Sequence, residues 1–286
     1  MMRDDPCGNF VLKGEQTARE HGIATLPVNL DQLASKHKID LIPKPSNLTT
    51  GVSGMLLRVD KEVAIIYATH LVSIGFQRFS IAHELGHYFL HGESEDVKPH
   101  ESHAGFVSND KREREADCFA AGLLMPRRLF KDALRTSGEG LVAIESLANR
   151  CQTSLLATAI RFVHLSDDSI AIVVSTKDRI DYCFMSEEMK TLRGINWIRK
   201  NYPLPENTAT LTFNQCADRV RHADRADDSS DLQDWFGGSR SLEIKEEVVG
   251  LGRYGKTLTV LTVPDLSDLE EIEEEDRLVE SWKPRF

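Results

Sequence analysis

The chain contains 286 residues and 41% of them are hydrophobic, which is enough for about two ordinary domain cores. Its formal net charge of −10 argues against a general affinity for nucleic acid, although a local basic patch is compatible with that charge. The sequence has no stretch near the ~18 apolar residues of a membrane span and no apolar signal region at its start. We therefore expect a soluble cytoplasmic protein without a membrane partner, and its oligomeric state stays open.

The five cysteines lie far apart, at positions 7, 118, 151, 183 and 216. An odd number without a close pair is typical of a reducing compartment rather than of a disulfide framework. We interpret Cys118, which is expected on a helix, as a small buried residue in preference to a metal ligand or a redox switch.

The first 70 residues alternate between helical and strand-like patterns. A longer helix is then predicted from about residue 73 to residue 91. This order indicates a short sheet that backs the longer helix. The preceding elements are predicted helices over residues 12–23 and 29–38, and predicted strands near residues 39–44, 53–59 and 62–67.

The segment His83-Glu84-Leu85-Gly86-His87 lies inside that longer helix and makes a zinc peptidase the first hypothesis. Positions i and i+4 lie about 40° apart around a helix axis, so His83 and His87 can direct their imidazoles at one ion. Glu84 would face the open side of that ion. The alternative is a pair of core histidines that are satisfied by hydrogen bonds.

A catalytic zinc needs a third protein ligand and one position open to water. The metzincin spacing would place Gly at position 90 and His at position 93, whereas the chain has Leu90 and Glu93, so that pattern is excluded. His91 lies one turn beyond His87, and we interpret it as a solvated residue near the helix end.

Residues 109–126 predict a second helix, which begins after capping residues and ends at a proline. Glu113 lies about 40° and Asp117 about 80° from the centre of its apolar face, while Glu115 points away at about 120°. Because a carboxylate directed at a core is costly unless it is paired or binds metal, Glu113 is the predicted third ligand. Asp117 is predicted to accept the second ring N–H of a ligating histidine. The alternative for Glu113 is an exposed charge paired with a basic neighbour.

Residues 92–109 join the two helices and are rich in acidic residues. We interpret them as a polar loop at the mouth of a cleft, because His100 and His103 have no further ligand at helical spacing that would make a second metal site. The residue that would stabilise an oxyanion stays open among His100, His103, Tyr67 and Tyr88.

These motifs resemble the ImmA/IrrE family of intracellular zinc metallopeptidases, over roughly residues 15–165. The resemblance implies a gluzincin-like site in which His83, His87 and Glu113 bind Zn²⁺, with Glu84 as the general base. It also implies that the substrate is a repressor-type transcription regulator, cut once to switch on stress, mobile-element or defence genes. It is carried by Arg78-Phe-Ser-Ile-Ala-His-Glu-Leu-Gly-His-Tyr-Phe-Leu-His91, Glu113-Arg-Glu-Ala-Asp117 and Phe119-Ala-Ala-Gly-Leu-Leu-Met-Pro126.

Helical patterns continue over residues 127–136, 141–149 and 155–164. The last two resemble a helix-turn-helix, with Thr153 or Ser154 capping the second helix. Arg161 is the one clear basic contact of that helix, so a structural hairpin is favoured over a DNA reader.

After residue 167 the pattern becomes strand-like. The glycines of residues 250–255 predict a hairpin turn rather than a phosphate loop, because no helix follows them. Residues 265–276 hold eight acidic side chains in twelve and are interpreted as a solvated tail or an exposed helix. The other predictions are strands over residues 169–175, 179–185, 209–213 and 257–263, a helix over 189–200 and a polar loop over 223–232.

The sequence thus predicts an α+β protein. A zincin-like metallopeptidase domain with a small sheet spans residues 1–126, a helix-turn-helix-like subdomain spans 127–166, and a C-terminal α/β domain with an acidic tail spans 167–286. The last domain would regulate the peptidase, recruit its substrate or serve stability alone.

The predicted function is a cytoplasmic zinc-dependent endopeptidase that cleaves a protein such as a helix-turn-helix repressor. One alternative is a zinc-containing DNA-binding or sensor regulator without proteolysis, against which Glu84 argues because a structural zinc site does not need it. The other alternative is a toxin-like defence protease of broader specificity.

Overall fold

The computed structural model describes residues 7–44, 52–70, 73–92, 100–103, 110–192, 194–238 and 241–264. The chain divides into two compact units, residues 1–138 with 143–158 and residues 139–142 with 159–286. Each unit combines helices with a β-sheet, so the predicted mixed α+β class is confirmed. No helix within the described ranges is long and apolar enough to cross a membrane.

The first unit contains a four-stranded sheet in the order β1-β3-β2-β4, in which β1 and β3 are parallel and the other pairs are antiparallel. The helices and strands predicted for this region are present. The segment predicted as a polar loop contributes strand β4, and most of the rest of that segment lies outside the described residues. The elements are α1 (Gly8–Glu20), α2 (Leu30–Lys36), β1 (Ile39–Lys44), β2 (Val52–Val59), β3 (Glu62–Ala68), α3 (Ile74–His91), β4 (His100–His103), α4 (Lys111–Leu124) and α5 (Arg127–Leu134).

Side-chain caps fix where α3 and α4 begin. The Ser73 hydroxyl accepts a hydrogen bond from the Phe76 amide at 3.4 Å, and the Asp110 carboxylate accepts one from the Arg112 amide at 2.8 Å. Such caps satisfy amides that have no partner inside the helix. They therefore set the register of the two helices that carry the predicted site.

Two glycines allow α4 to pack closely on its neighbours. A Cβ atom on Gly86 of α3 would lie 3.1 Å from Cα of Ala116, and one on Gly14 of α1 would lie 2.2 Å from the carbonyl oxygen of Phe119. A Cβ atom does not fit at Gly14, and at Gly86 it would require Ala116 to shift by a few tenths of an ångström. The helix α4 is therefore held between α3 and α1 at short range.

A disulfide between Cys7 and Cys118 joins the start of α1 to α4, with the two Cα atoms 5.5 Å apart. The prediction of unpaired cysteines is therefore wrong for these two residues. They are 111 residues apart in sequence, so their pairing depends on the packing of α1 against α4 and leaves no local signal.

We expect Cys118→Ser to lower the free energy of unfolding in oxidising buffer by about 3 kcal/mol, because the cross-link restricts a long loop in the unfolded chain. Denaturant unfolding monitored by circular dichroism measures this change. Cys7→Ser should lose the same amount, and reductant should abolish the difference from wild type. Equal stability of wild type and both variants under oxidising conditions would show that the cross-link has no such role.

His21 and His37, the C-cap residues of α1 and α2, form a close imidazole pair with their Nε2 atoms 2.7 Å apart. His21 Nδ1 lies 2.8 Å from the carbonyl oxygen of Thr17, which only accepts, so a neutral His21 carries its proton on Nδ1 and accepts from His37 at Nε2. Burial lowers the pKa of His37, and the neighbouring charges of His21 and Lys36 lower it further. The His37 ring also lies edge-on to the aromatic rings of Tyr88 and Phe89.

This pair gives the fold a pH dependence of known sign. Unfolded His37 takes up a proton near pH 6.5. In the folded protein His37 takes up its proton only at a lower pH. Its contribution to the free energy of unfolding is therefore present above about pH 6.5 and is lost as the pH falls through the folded pKa. Thermal melts between pH 7.5 and pH 5 should therefore show a steeper fall in Tm for wild type than for His37→Gln. Parallel curves would contradict this assignment.

Two further helices, α6 (Gly140–Cys151) and α7 (Leu155–Leu165), lie where the sequence predicted helices. The Ser154 hydroxyl accepts from the Ala157 amide at 3.2 Å, so Ser154 is the capping residue of the two that the sequence proposed. Arg161 is only 7% exposed. The basic side chain that a DNA-binding helix would have used to contact DNA is therefore buried.

The second unit contains a five-stranded antiparallel sheet in the order β6-β5-β9-β8-β7. One cluster of its apolar core lies around Val173, Leu232, Phe236 and Leu261. Its elements are β5 (Ile170–Thr176), β6 (Arg179–Met185), α8 (Glu187–Thr191), α9 (Ala209–Asn214), α10 (Ala217–Arg221), β7 (Arg225–Asp231), α11 (Leu232–Phe236), β8 (Glu243–Gly250) and β9 (Thr257–Thr262), with a 3₁₀ turn over Gly252–Tyr254.

Three predictions for this unit are wrong. Residues 209–213 form α9 rather than a strand, because the Thr208 hydroxyl caps the turn by accepting from the Leu211 amide. The predicted polar loop over 223–232 contains edge strand β7, which pairs with β8 along its length. The predicted helix over 189–200 is limited to α8. The acidic segment 265–276 lies outside the described residues.

Candidate metal centre

The structure brings the two histidines of α3 and Glu113 of α4 into one buried cluster. His83 and His87 are each 5% exposed and Glu113 is 9% exposed. The Nε2 atom of His83 lies 3.3 Å from Oε2 of Glu113, and the Nε2 atom of His87 lies 3.2 Å from Oε1. The two Nε2 atoms are 3.0 Å apart. The predicted ligand atoms therefore face a common point.

These separations fit a metal ion. In a tetrahedral site with zinc–ligand bonds of about 2.0–2.1 Å, the ligand atoms lie about 3.3 Å from one another. The two imidazole nitrogens lie 3.0 Å apart, and each lies 3.2 to 3.3 Å from a different carboxylate oxygen of Glu113. Taken as one ligand atom from each residue, the three atoms lie within 4.8 Å of one another. Among the residues that the structure describes, this is the one group of three or more His, Cys, Asp and Glu side chains that could hold a metal ion.

Asp117 lies beside the cluster in the position predicted from the helical angle. Its Oδ1 atom accepts a hydrogen bond from Nδ1 of His83 at 2.8 Å. With the proton on Nδ1, the Nε2 lone pair of His83 points at Glu113 and His87, where a metal would bind. Such a carboxylate fixes the tautomer and the ring orientation of a ligating histidine.

The electrostatics of the cluster favour a positive charge at this point. Burial lowers the pKa of His83, but hydrogen bonds to Asp117 and Glu113 and the charge of Glu84 outweigh it, and the pKa rises to about 10. Without a metal ion, His83 therefore carries a proton at neutral pH. A bound cation replaces that proton, because a ligating histidine must be neutral.

Glu84 is fully buried next to the cluster, and strand β2 makes room for it. A Cβ atom on Gly54 would lie 2.7 Å from Oε1 of Glu84. The absence of a side chain at Gly54 thus leaves space for the carboxylate. Sequence reasoning missed Gly54, because only the register of β2 against the helix reveals the contact.

A further ion pair joins α3 to α4 and shows that the predictions for His91 and Glu115 are wrong. His91 was expected to be solvated and Glu115 to point away, yet His91 Nδ1 lies 3.8 Å from Oε2 of Glu115, and both side chains are mostly buried. Lys111 lies 3.7 Å from the other oxygen of Glu115. These contacts hold α3 against α4 one turn beyond His87.

Of the four candidates for oxyanion stabilisation, the structure describes the side chains of the two tyrosines, Tyr67 and Tyr88. Tyr88 lies with its ring 5.1 Å from the Arg58 guanidinium and edge-on to Phe89, in the aromatic cluster around His37. Burial raises the pKa of Tyr67, and the charge of Asp31 adds to the effect. The side chains of the two histidines in β4 lie outside what the structure describes.

The comparisons with known proteins agree with this geometry. Residues 34–163 match the model of the IrrE N-terminal-like peptidase domain. The metallopeptidase ImmA of Bacillus subtilis (strain 168) is 36% identical over 85 residues, which are 29% of this chain and 48% of ImmA. A solved Mycobacterium tuberculosis transcriptional regulator superimposes with a TM-score of 0.59 at 15% identity, over 90% of this chain and 77% of that chain.

The fold and the metal-ligand geometry agree with an IrrE N-terminal-like domain over residues 34–163. Residues 34–163 belong to the ImmA/IrrE family of metallopeptidases, which confirms the resemblance drawn from the sequence motifs. The match spans about half the length of the curated relative. The likeness to the Mycobacterium tuberculosis structure, at its low identity, bears on the fold alone.

Asp117→Asn should weaken metal affinity by about 10- to 100-fold, because the amide no longer holds His83 in its ligating tautomer as strongly. Competition with a chromophoric chelator measures this affinity. Asp132→Asn is a suitable control, since Asp132 is an exposed aspartate of α5. Equal affinity of Asp117→Asn and wild type would contradict an orienting role for this hydrogen bond.

Proposed function

We propose that this protein is a zinc-dependent endopeptidase that hydrolyses a peptide bond in a protein substrate. One observation carries the proposal: the ligand atoms of His83, His87 and Glu113 lie within 4.8 Å of one another, beside the buried carboxylate of Glu84. Two nitrogen donors, one oxygen donor and a neighbouring carboxylate suit hydrolysis, whereas a structural zinc site has no use for Glu84. The proposed ion is Zn²⁺.

The roles of the side chains follow from their positions. When bound, zinc lowers the pKa of water and polarises the scissile carbonyl. Glu84 takes the proton of the attacking water and delivers it to the nitrogen of the leaving amine. Its burial beneath β2 keeps the carboxylate in one orientation. Asp117 holds the ring of His83, so the donor atoms stay aligned through the reaction.

The proposed substrate is a DNA-binding repressor of the helix-turn-helix class. Its cleavage in the cytoplasm would switch on stress, mobile-element or defence genes. The family resemblance supports this substrate. A zinc-containing regulator without proteolysis is the second candidate, and the burial of Arg161 weighs against its use of the α6–α7 hairpin on DNA.

Replacing Glu84 with Gln should abolish cleavage and leave metal bound. A general base contributes about 10²- to 10⁴-fold to such a reaction, and Gln keeps the size of the side chain without its basicity. The assay incubates the metal-loaded chain with repressors encoded beside its gene and follows their cleavage by mass spectrometry.

Glu62→Gln, which changes an exposed glutamate at the start of β3, should cleave like wild type. Full activity of Glu84→Gln would contradict the assigned base. A chain that binds zinc but cleaves none of the repressors would favour the regulator without proteolysis.

Gly54→Ala should keep the metal and reduce the rate of cleavage by at least about tenfold, because the new methyl group displaces the Glu84 carboxylate. Val59→Ala on the same strand is the control, since Val59 is 64% exposed. Rates and metal content are measured side by side on both variants. Unchanged cleavage by Gly54→Ala would show that Glu84 needs no such clearance.

A further inference from the structure

Helix α5 has one side in the core and another side that carries mostly basic residues. Phe130 and Ala133 are buried and belong to the core. The other side carries four basic residues and one acidic residue, in a chain whose 45 acidic residues outnumber its 35 lysines and arginines. These five charged residues are Arg127, Arg128, Lys131, Asp132 and Arg135.

The four basic residues, Arg127, Arg128, Lys131 and Arg135, form what we call the basic face of α5. At about 100° per residue they fall within an arc of about 100° around the helix axis, and the C-cap residue Arg135 keeps helical backbone angles. At a rise of about 1.5 Å per residue, the first and the last of them are about 12 Å apart along the axis. The basic face is therefore a short row of cations on one side of the helix.

Arg150, at the end of α6, adds a fifth cation to this row. Its Nη1 atom donates to the carbonyl oxygen of Ala133 at 3.0 Å and to the hydroxyl of Thr136 at 2.9 Å. Both acceptors are neutral, so these contacts fix the guanidinium without cancelling its charge. Arg150 thus lies at the C-terminal end of α5, next to the basic face.

Contacts within the described part of the chain compensate little of this charge. Arg127 and Arg128 are exposed, and neither has an ion pair among the described residues. Arg135 lies 3.6 Å from Asp132, but both side chains are more than half exposed, so water screens this pair. Helix stability does not explain the two arginines of the first turn, because a first turn favours acidic side chains and α5 has none there.

The composition of the basic face favours a duplex nucleic acid over a protein or a single strand. None of the large apolar side chains that are exposed in the described part of the chain lies on α5. Protein interfaces depend on buried aromatic and aliphatic anchors, and single-stranded nucleic acids stack their bases on aromatic rings. The backbone of a duplex is instead held by arginine and lysine side chains at its phosphates.

We propose that the basic face of α5, together with Arg150, docks on the phosphate backbone of double-stranded DNA without reading its sequence. The guanidinium groups donate hydrogen bonds to phosphate oxygens, and counterions of the DNA are released. The choice of DNA rests on the proposed function, because the proposed substrate is a DNA-binding repressor. The contact would bring the chain to the DNA on which that substrate sits.

Fluorescence anisotropy of a short labelled DNA duplex, titrated with the full chain at several KCl concentrations, tests this proposal. Each neutralised phosphate contributes about −0.9 to the slope of log affinity against log salt concentration, so we expect a slope of about −3 to −5. Arg127→Gln combined with Arg128→Gln should make the slope shallower by about 2 and weaken binding at low salt by at least about tenfold.

Two matched pairs of substitutions are the controls. Arg127→Lys combined with Arg128→Lys keeps both charges and should keep the slope. Arg19→Gln combined with Arg253→Gln removes two exposed arginines outside α5 and should bind like wild type. Circular dichroism confirms that each variant is folded.

Competition with single-stranded DNA and with polyglutamate, at equal concentrations of charge, identifies the partner, and the duplex should bind more tightly than either. The proposal is overturned by a slope shallower than about −1, by wild-type binding of the double glutamine variant, or by tighter binding of either competitor. DNA binding is measured without cleavage, and Glu84→Gln should bind the duplex like wild type. A failure here is therefore distinct from a failure of the proposed peptidase reaction.

Discussion

The approach of three polar side chains to one point between α3 and α4 is the constraint on which the first unit depends. Two imidazoles and a carboxylate within 3.0 to 3.3 Å of one another lie in surroundings that exclude most water. Such a cluster is costly to bury without a cation. Around it, Gly86 lets the helices approach, the Asp117 hydrogen bond orients one ligand, and the pair of His91 with Glu115 ties the next turn.

The same physical problem recurs in the second unit with a different outcome. Glu247 is buried against an amide and a lysine, whereas Glu246 is buried with one oxygen lacking a partner among the described residues. Buried polar groups in folded proteins are almost always satisfied, so Oε2 of Glu246 is one of a few exceptions among the described residues.

Local periodicity was sufficient to predict the cluster, because the spacing of His83 and His87 and the angular position of Glu113 are properties of single helices. Features that join distant segments left no such signal. Gly54 matters only through the packing of β2 on Glu84, and Cys7 pairs with Cys118 only because α1 docks on α4. In residues 209–213 the β-branched and aromatic side chains predicted a strand, and the cap at Thr208 with burial of Phe213 produced a helix instead.

The central claim is that His83, His87 and Glu113 jointly bind one metal ion, and zinc K-edge X-ray absorption of the purified full chain tests it most directly. The account predicts one zinc per chain with nitrogen and oxygen ligands only, at about 2.0–2.2 Å, including two imidazoles. A sulfur shell at about 2.3 Å would place the metal on cysteines. That result, or a chain that binds no metal after loading, would contradict the account.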